Sequence, residues 1–367
     1  MTVLTWSGLA PGDLHGTIER EVAGHFARRS ATASSYGTDF ARLWAAAAEQ
    51  VGGGKLVRPT LLVRMYDALH PREDLSSRVD PSTVVSLAAA VELLHFAFLL
   101  HDDVLDHDFT RRGRTNLIGS LRDAAVLEGV RDESAVHWGQ AGGLLMGDLL
   151  LAEAHQTFAR ADVGQGMRIR LLDLLDQTIT ESVAGEWADV GLGDGVLEPD
   201  PSVILAMTTH KTAMYSFELP VRAAAVLART RPEVEQSLCA AARRLGLAFQ
   251  VQDDLLSTFG DPRTHGKGAF SDLRAGKQTV ILAHARTTAA WGLIEESLGS
   301  PDLTESEAMR IRDVLVECGA EEFARLVIEA QLSEVRDLLG EDHGSAVPHT
   351  ARQVLQTLAS RLEGRRS

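Results

Sequence analysis

Between residues 82 and 106 the chain is apolar at almost every turn, with Val84, Val85, Leu87, Ala88, Val91, Leu94, Phe98 and Leu105 leaving no continuous polar face. A helix that is apolar nearly all round has to be buried, so this segment predicts one long central helix. Ordinary helical periodicity predicts further helices over residues 36–50, 59 to about 69, 139–160, 166–190, 201–229, 232–258, 277–298, 304–318, 320–339 and 347–362. Pro59 suits a first helical turn, because proline lacks only a donor that is orphaned there anyway. Val51-Gly52-Gly53-Gly54 ends one helix, and loops rich in Gly, Asp, Pro or Arg fall at 108–117, 191–200, 260–276 and 340–346. Alternating β-branched runs are scarce. The pattern therefore predicts an all-α fold: residues 1–33 as a peripheral segment broken at Pro11-Gly12-Asp13, and residues 34–367 as one large helical domain.

Composition adds little to the fold and narrows the function. Aromatic residues make up only 5%, and 36 basic against 51 acidic residues give a net charge of −15. That balance argues against a nucleic-acid partner, while leaving room for a local basic pocket. The first 20 residues lack a basic stretch followed by an apolar core, and no stretch approaches an uninterrupted membrane span, so neither export nor a membrane anchor is expected. Cys239 and Cys318 lie far apart and lack the paired spacing of zinc or redox motifs; they read as ordinary thiols of a reducing cytoplasm.

Two of the predicted helices close on aspartate pairs, in His101-Asp102-Asp103-Val104-Leu105-Asp106 and in Gln252-Asp253-Asp254-Leu255-Leu256-Ser257. Adjacent carboxylates at the end of a buried run repel one another and are costly to desolvate, and a shared divalent metal relieves both problems. Asp102 and Asp106 share a helix face, which suits Mg²⁺ bound through one or two carboxylates. On its own such a DxxxD pattern is more often a solvated acidic helix end. Arg111-Arg112-Gly113-Arg114 follows directly, however, and forked guanidinium donors suit phosphate oxygens. The second pair is followed by Gly266-Lys267-Gly268 and Asp272-Leu273-Arg274-Ala275-Gly276-Lys277. Gly54-Lys55 with Arg58, and His210-Lys211-Thr212, are further basic points. Acid and base interleaved in this way match the needs of a metal-diphosphate complex.

In this order and spacing the motifs resemble those of the trans-polyprenyl diphosphate synthases, the family of farnesyl and geranylgeranyl diphosphate synthases. The resemblance runs from about Gly53 to Thr279. Asp102-Asp103-Val104-Leu105-Asp106 with Arg111-Arg112-Gly113 is similar to the family's first aspartate-rich motif, and Phe249-Gln250-Val251-Gln252-Asp253-Asp254 with the basic loops after it to the second. Gly54-Lys55 to Arg58-Pro59 resembles its GK-x-x-RP, and His95 stands where the family has a diphosphate-binding histidine. The resemblance implies an all-α bundle around a central cavity, a homodimer, and a Mg²⁺-dependent condensation of isopentenyl diphosphate with an allylic diphosphate. It implies that Asp102, Asp106 and Asp253 coordinate three Mg²⁺ ions, with Mn²⁺ as an alternative, and that Asp103 and Asp254 support them. Arg111, Lys211 and Lys267 would hold the allylic diphosphate, with Lys277 at the entrance. Lys55, Arg58, His95 and Arg112 would hold isopentenyl diphosphate, and Thr212 and Gln250 would face the reacting carbons. Product length in this family is set by residues just before the first motif, here Ala97, Phe98 and, one turn deeper, Leu94; they point to geranylgeranyl diphosphate, with farnesyl diphosphate as the alternative.

One position departs from the family pattern. Ser257 stands where a third aspartate is common, so that Asp253, Ser257 and Asp261 also echo the second metal motif of class I terpene cyclases. A cyclase has no second diphosphate to bind, and Lys55, Arg58, His95 and Arg112 as a set favour condensation. A non-catalytic partner subunit would have no reason to keep both aspartate pairs and both basic loops.

Overall fold

The computed structural model describes residues 11–52, 54–70, 78–111, 113–260, 270–300, 302–340 and 346–364. Apart from one two-residue hairpin, the described residues form only helices, turns and loops, as the periodicity predicts. The chain divides into two compact units, one of Met1–Leu175 with Ala223–Thr230 and the other of Asp176–Arg222 with Arg231–Ser367.

The first unit is built around the apolar run. Helices α1 (Pro11–Ser35), α2 (Thr38–Gln50) and α3 (Val57–Leu69) lead into α4 (Pro81–Leu105). Asp80 caps α4 by accepting from the Ser82 amide at 2.8 Å, with Pro81 in the first turn, where its missing N–H costs nothing. By length and apolar composition α4 could cross a membrane, which corrects the expectation that no stretch comes close; 78% of its apolar window is buried within the protein, as in a core helix. It packs against α6 (Asp132–Ala159), which in turn packs on α5 (Leu117–Leu127). Between α4 and α5, strands β1 (Thr110–Arg111) and β2 (Arg114–Thr115) form an antiparallel hairpin turned at Gly113, which has a φ of 71°.

Two expectations for this unit are corrected. Pro11-Gly12-Asp13 starts a helix instead of breaking a peripheral segment, and Leu14, Ile18, Val22 and Phe26 bury one side chain per turn against the unit's core. A stripe one residue wide among many charges is a weak periodic signal, and packing decides it. Residues 117–127 form α5, which periodicity leaves unassigned; the signal is Asn116, whose side chain accepts from the Gly119 amide as an N-cap.

Helix α7 (Gln165–Gly193) carries the chain into the second unit. The stretch expected to be one helix over 201–229 is three segments: α8 (Pro201–Thr208), ten residues of π-helix (Thr209–Glu218) and α9 (Leu219–Leu227). The Leu219 amide reaches back five residues to the Met214 carbonyl. Long π-helical runs are rare and concentrate at functional sites. Helix α10 (Pro232–Phe259) packs on the π segment and lies along a later helix spanning Ala320–Leu339. The helix expected over 277–298 is confined to Val280–Arg286, because the Thr287 and Thr288 hydroxyls turn back onto the His284 and Ala285 carbonyls and end it.

Candidate active site

The residues expected to carry the chemistry fall into three groups, one in the first unit and two in the second. In the first, the last turn of α4 presents Asp102 and Asp103, and the hairpin swings Arg111 onto both. Its Nη2 donates to Asp102 Oδ2 at 2.8 Å, and its Nε to Asp103 Oδ1 at 2.9 Å. Asp103 is only 2% exposed. Burial pushes its carboxyl up to about 6, against the opposing pull of Arg111. Burial also works against the charge on Arg111, but Asp103 and then Asp102 outweigh it and raise the guanidinium above its ordinary value. Asp106 caps the helix one turn on from Asp102, partly exposed. Asp102 and Asp106 thus offer hard oxygen donors on one face, the donor chemistry of a Mg²⁺ site. Among the described residues no three His, Cys, Asp or Glu side chains converge on one point.

His95 is buried on α4 two turns before Asp102, and Arg58 is partly buried near the start of α3. Lys55 is exposed just before Leu56, which has a left-handed φ of 45°. Leu94 and Ala97 are fully buried on α4, whereas Phe98 is partly exposed.

In the second unit, α10 carries Asp253, partly buried, and Asp254, which is buried and accepts from Gln250 Nε2 at 2.9 Å. Gln250 therefore has a hydrogen-bonding task beside the aspartate pair. Ser257 lies one turn beyond Asp253, and the helix ends at Phe259, before Asp261. Lys277 is partly buried just after the turn at Gly276. Arg112, Lys267 and Asp261 lie outside the described residues.

The third group is the π segment with α7. Lys211 Nζ donates to Asp189 Oδ2 at 2.6 Å and to Glu186 Oε1 at 3.0 Å, and Thr212 follows, partly buried. Neither acid is singled out by the sequence motifs; their only trace is a spacing of three on one predicted helix. Gly185 lets the two backbones touch, since a Cβ there would lie 2.2 Å from the Lys211 nitrogen. Gly185→Ala is therefore expected to cost about 1–3 kcal/mol, as overpacking does, measured as a lower denaturation midpoint with reduced turnover; wild-type values for both would show that α7 yields freely.

A sequence model of the family described as polyprenyl synthetase matches residues 42–314. The geranylgeranyl diphosphate synthase of Methanosarcina mazei is 28% identical over 289 residues, covering 78% of this chain and 79% of that protein. The (2E,6E)-farnesyl diphosphate synthase of Mycobacterium tuberculosis is 31% identical over 277 residues, covering 72% and 67%. Among solved structures, a geranylgeranyl pyrophosphate synthase from Corynebacterium glutamicum, complexed with isoprenyl diphosphate and magnesium, superposes with a TM-score of 0.89 at 25% identity, over 98% of this chain and 100% of that one. The chain belongs to the polyprenyl synthetase family and is a prenyltransferase enzyme.

Proposed function

We propose that the protein is a short-chain prenyl diphosphate synthase that condenses isopentenyl diphosphate with an allylic diphosphate, with geranylgeranyl diphosphate as the main product. The observation that carries this reading is the pairing of Arg111 with Asp102 and Asp103: a partly buried arginine and two carboxylates held together at one helix end. Asp102, Asp106 and Asp253 would hold Mg²⁺, three ions by family resemblance, and the bound metal would neutralise charge on the departing diphosphate. Arg111 and Lys211 would bind and orient that diphosphate, with Lys267 and Lys277 beside them. Lys55, Arg58, His95 and Arg112 would hold the diphosphate of the second substrate, which fixes the attacking double bond. Preorganised cations aimed at the leaving group supply the electrostatic stabilisation that this reaction needs. Thr212 and Gln250 would complete the wall beside the reacting carbons.

Incubation of the purified protein with Mg²⁺, an allylic diphosphate and labelled isopentenyl diphosphate tests the reading. Chain extension supports it. Hydrocarbon formed from the allylic diphosphate alone would establish a cyclase instead, and no turnover would leave a partner subunit.

Product length rests on the face of α4 just before the first motif. Ala97 gives space and Phe98 removes it, so Phe98→Ala should shift the products towards longer chains on chromatography. An unchanged distribution would sink the idea that Phe98 forms the floor. A homodimer completes the proposal: Trp138 and Leu145, seven residues apart on one face of α6, stand 53% and 57% exposed, an apolar patch that a second copy would cover. A cytoplasmic location fits the two separated thiols.

A further inference from the structure

One face of α7 lies against the start of the π segment, at His210 and Lys211. Glu181 Oε2 lies 3.4 Å from His210 Nδ1. One turn on, Gly185 meets the backbone of Lys211. Beside and beyond it, Glu186 and Asp189 both reach the Lys211 ammonium, at 3.0 and 2.6 Å. Lys211 and its two acids are shielded, Lys211 at 19% exposure, Glu186 at 23% and Asp189 at 16%, whereas His210 beside Glu181 is 42% exposed. A single carboxylate is enough to neutralise one ammonium. Two carboxylates on two of its three tetrahedral donors also fix its position and direction. They do so while offsetting the charge that a lysine would bring to a phosphate, so the arrangement favours placement over attraction.

We infer that Glu186 and Asp189 are positioning residues for the allylic diphosphate, acting through Lys211, whose ammonium they hold at one place on the π segment. The inference rests on the reading of Lys211 as a diphosphate ligand. Asp189 makes the shorter bond and carries more of the placement. Glu186 contributes an acceptor oxygen, which a glutamine amide oxygen can replace.

The test is a double-mutant cycle on kcat/KM for the allylic substrate, with the KM for isopentenyl diphosphate and the thermal midpoint measured alongside. Asp189→Ala is expected to lower kcat/KM for the allylic diphosphate by about 10- to 100-fold, the range for a lost hydrogen bond to a charged group. The KM for isopentenyl diphosphate should not move. Glu186→Ala should fall in the same direction, and Glu186→Gln should recover most of the loss. In a Lys211→Ala background, Asp189→Ala should add no further loss. An equal loss in both backgrounds, or a parallel rise in the KM for isopentenyl diphosphate, would overturn the inference. If Asp189→Ala does not fold, Asp189→Asn and the Glu186→Ala and Glu186→Gln pair carry the same comparison. Should Lys211→Ala alone leave the allylic kcat/KM intact, the reading of Lys211 fails and this inference with it. A loss on Lys211→Ala combined with wild-type behaviour of Asp189→Ala and Glu186→Ala would fault the clamp alone.

Discussion

Replacing Asp102 by alanine is expected to lower kcat by at least about 10²–10³-fold, the scale on which a single preorganised charge-stabilising group acts. Asp102 occupies the exposed side of the pair: its side chain is 17% accessible, against 3% for Asp103. Of the two it is therefore the carboxylate an ion can reach, while Asp103 serves Arg111 from below. Alanine at position 102 leaves the Arg111–Asp103 pair in place, so the fold should survive and the loss should fall on turnover. Steady-state kinetics with Mg²⁺ varied at saturating substrates give the check. Asp102→Ala should need more Mg²⁺ for half-maximal rate, and excess metal should not restore the wild-type kcat. A variant with wild-type metal dependence would overturn the proposal that Asp102 binds the metal. Asp103→Ala should behave differently, leaving Arg111 with Asp102 alone and costing stability as well as rate.

The largest effect on stability is expected at Glu218, the last residue of the π segment. It is fully buried and paired with Arg243 and Arg222, the latter at 2.9 Å. Arg222 also bonds Gln177 on α7 at 3.0 Å and approaches Glu235 on α10 at 3.6 Å. Removing one partner of a buried pair typically costs about 3–5 kcal/mol, because a charge remains without its counter-ion. Arg243 and Arg222 still reach solvent, at 39% and 23% exposure, so Glu218→Ala should fall near about 3 kcal/mol, at the lower end of that range. Chemical denaturation would read it as a lower midpoint at unchanged slope. A loss below about 0.5 kcal/mol, the ordinary size of a surface substitution, would show that the network is dispensable. Cys239 sits against the same charges; burial first, and then Glu218, push its thiol up to about 12, which makes it inert towards oxidation at neutral pH.

What could be read in advance followed the strength of local signals. The helix expected over 320–339 matches Ala320–Leu339, with Gly319 and Gly340 as its punctuation. Helices α4 and α10 lie within one or two residues of their expected bounds, because long periodic runs bounded by Pro and Gly leave little choice. Local signals fail where tertiary contacts decide. The buried stripe of α1 is too narrow to stand out among its charges. The π segment keeps an apolar pattern compatible with an ordinary helix, and only packing against α7 and α10 shows its extra width. In the site, motif spacing pointed to Asp102, Asp103 and Arg111 together, and they meet. It could not point to Glu186 and Asp189, which become significant only once a helix from elsewhere in the chain lies against Lys211.

The π segment has a consequence for sequence change. A ten-residue stretch wound with a wider turn behaves as a stored insertion: deleting one residue between Thr209 and Glu218 would let the backbone relax into an ordinary helix without breaking the chain's path. Each residue of an α-helix turns the next by about 100°, and each residue of the wider π turn by less, so six α-helical steps from Lys211 to Glu218 would cover nearly the angle that seven π-helical steps cover now. The lysine would keep facing its two acids and the glutamate its two arginines. The extra residue is thus slack stored between two fixed anchors, and a shortened version would be a well-formed helix that keeps both anchors and gives up only the width between them.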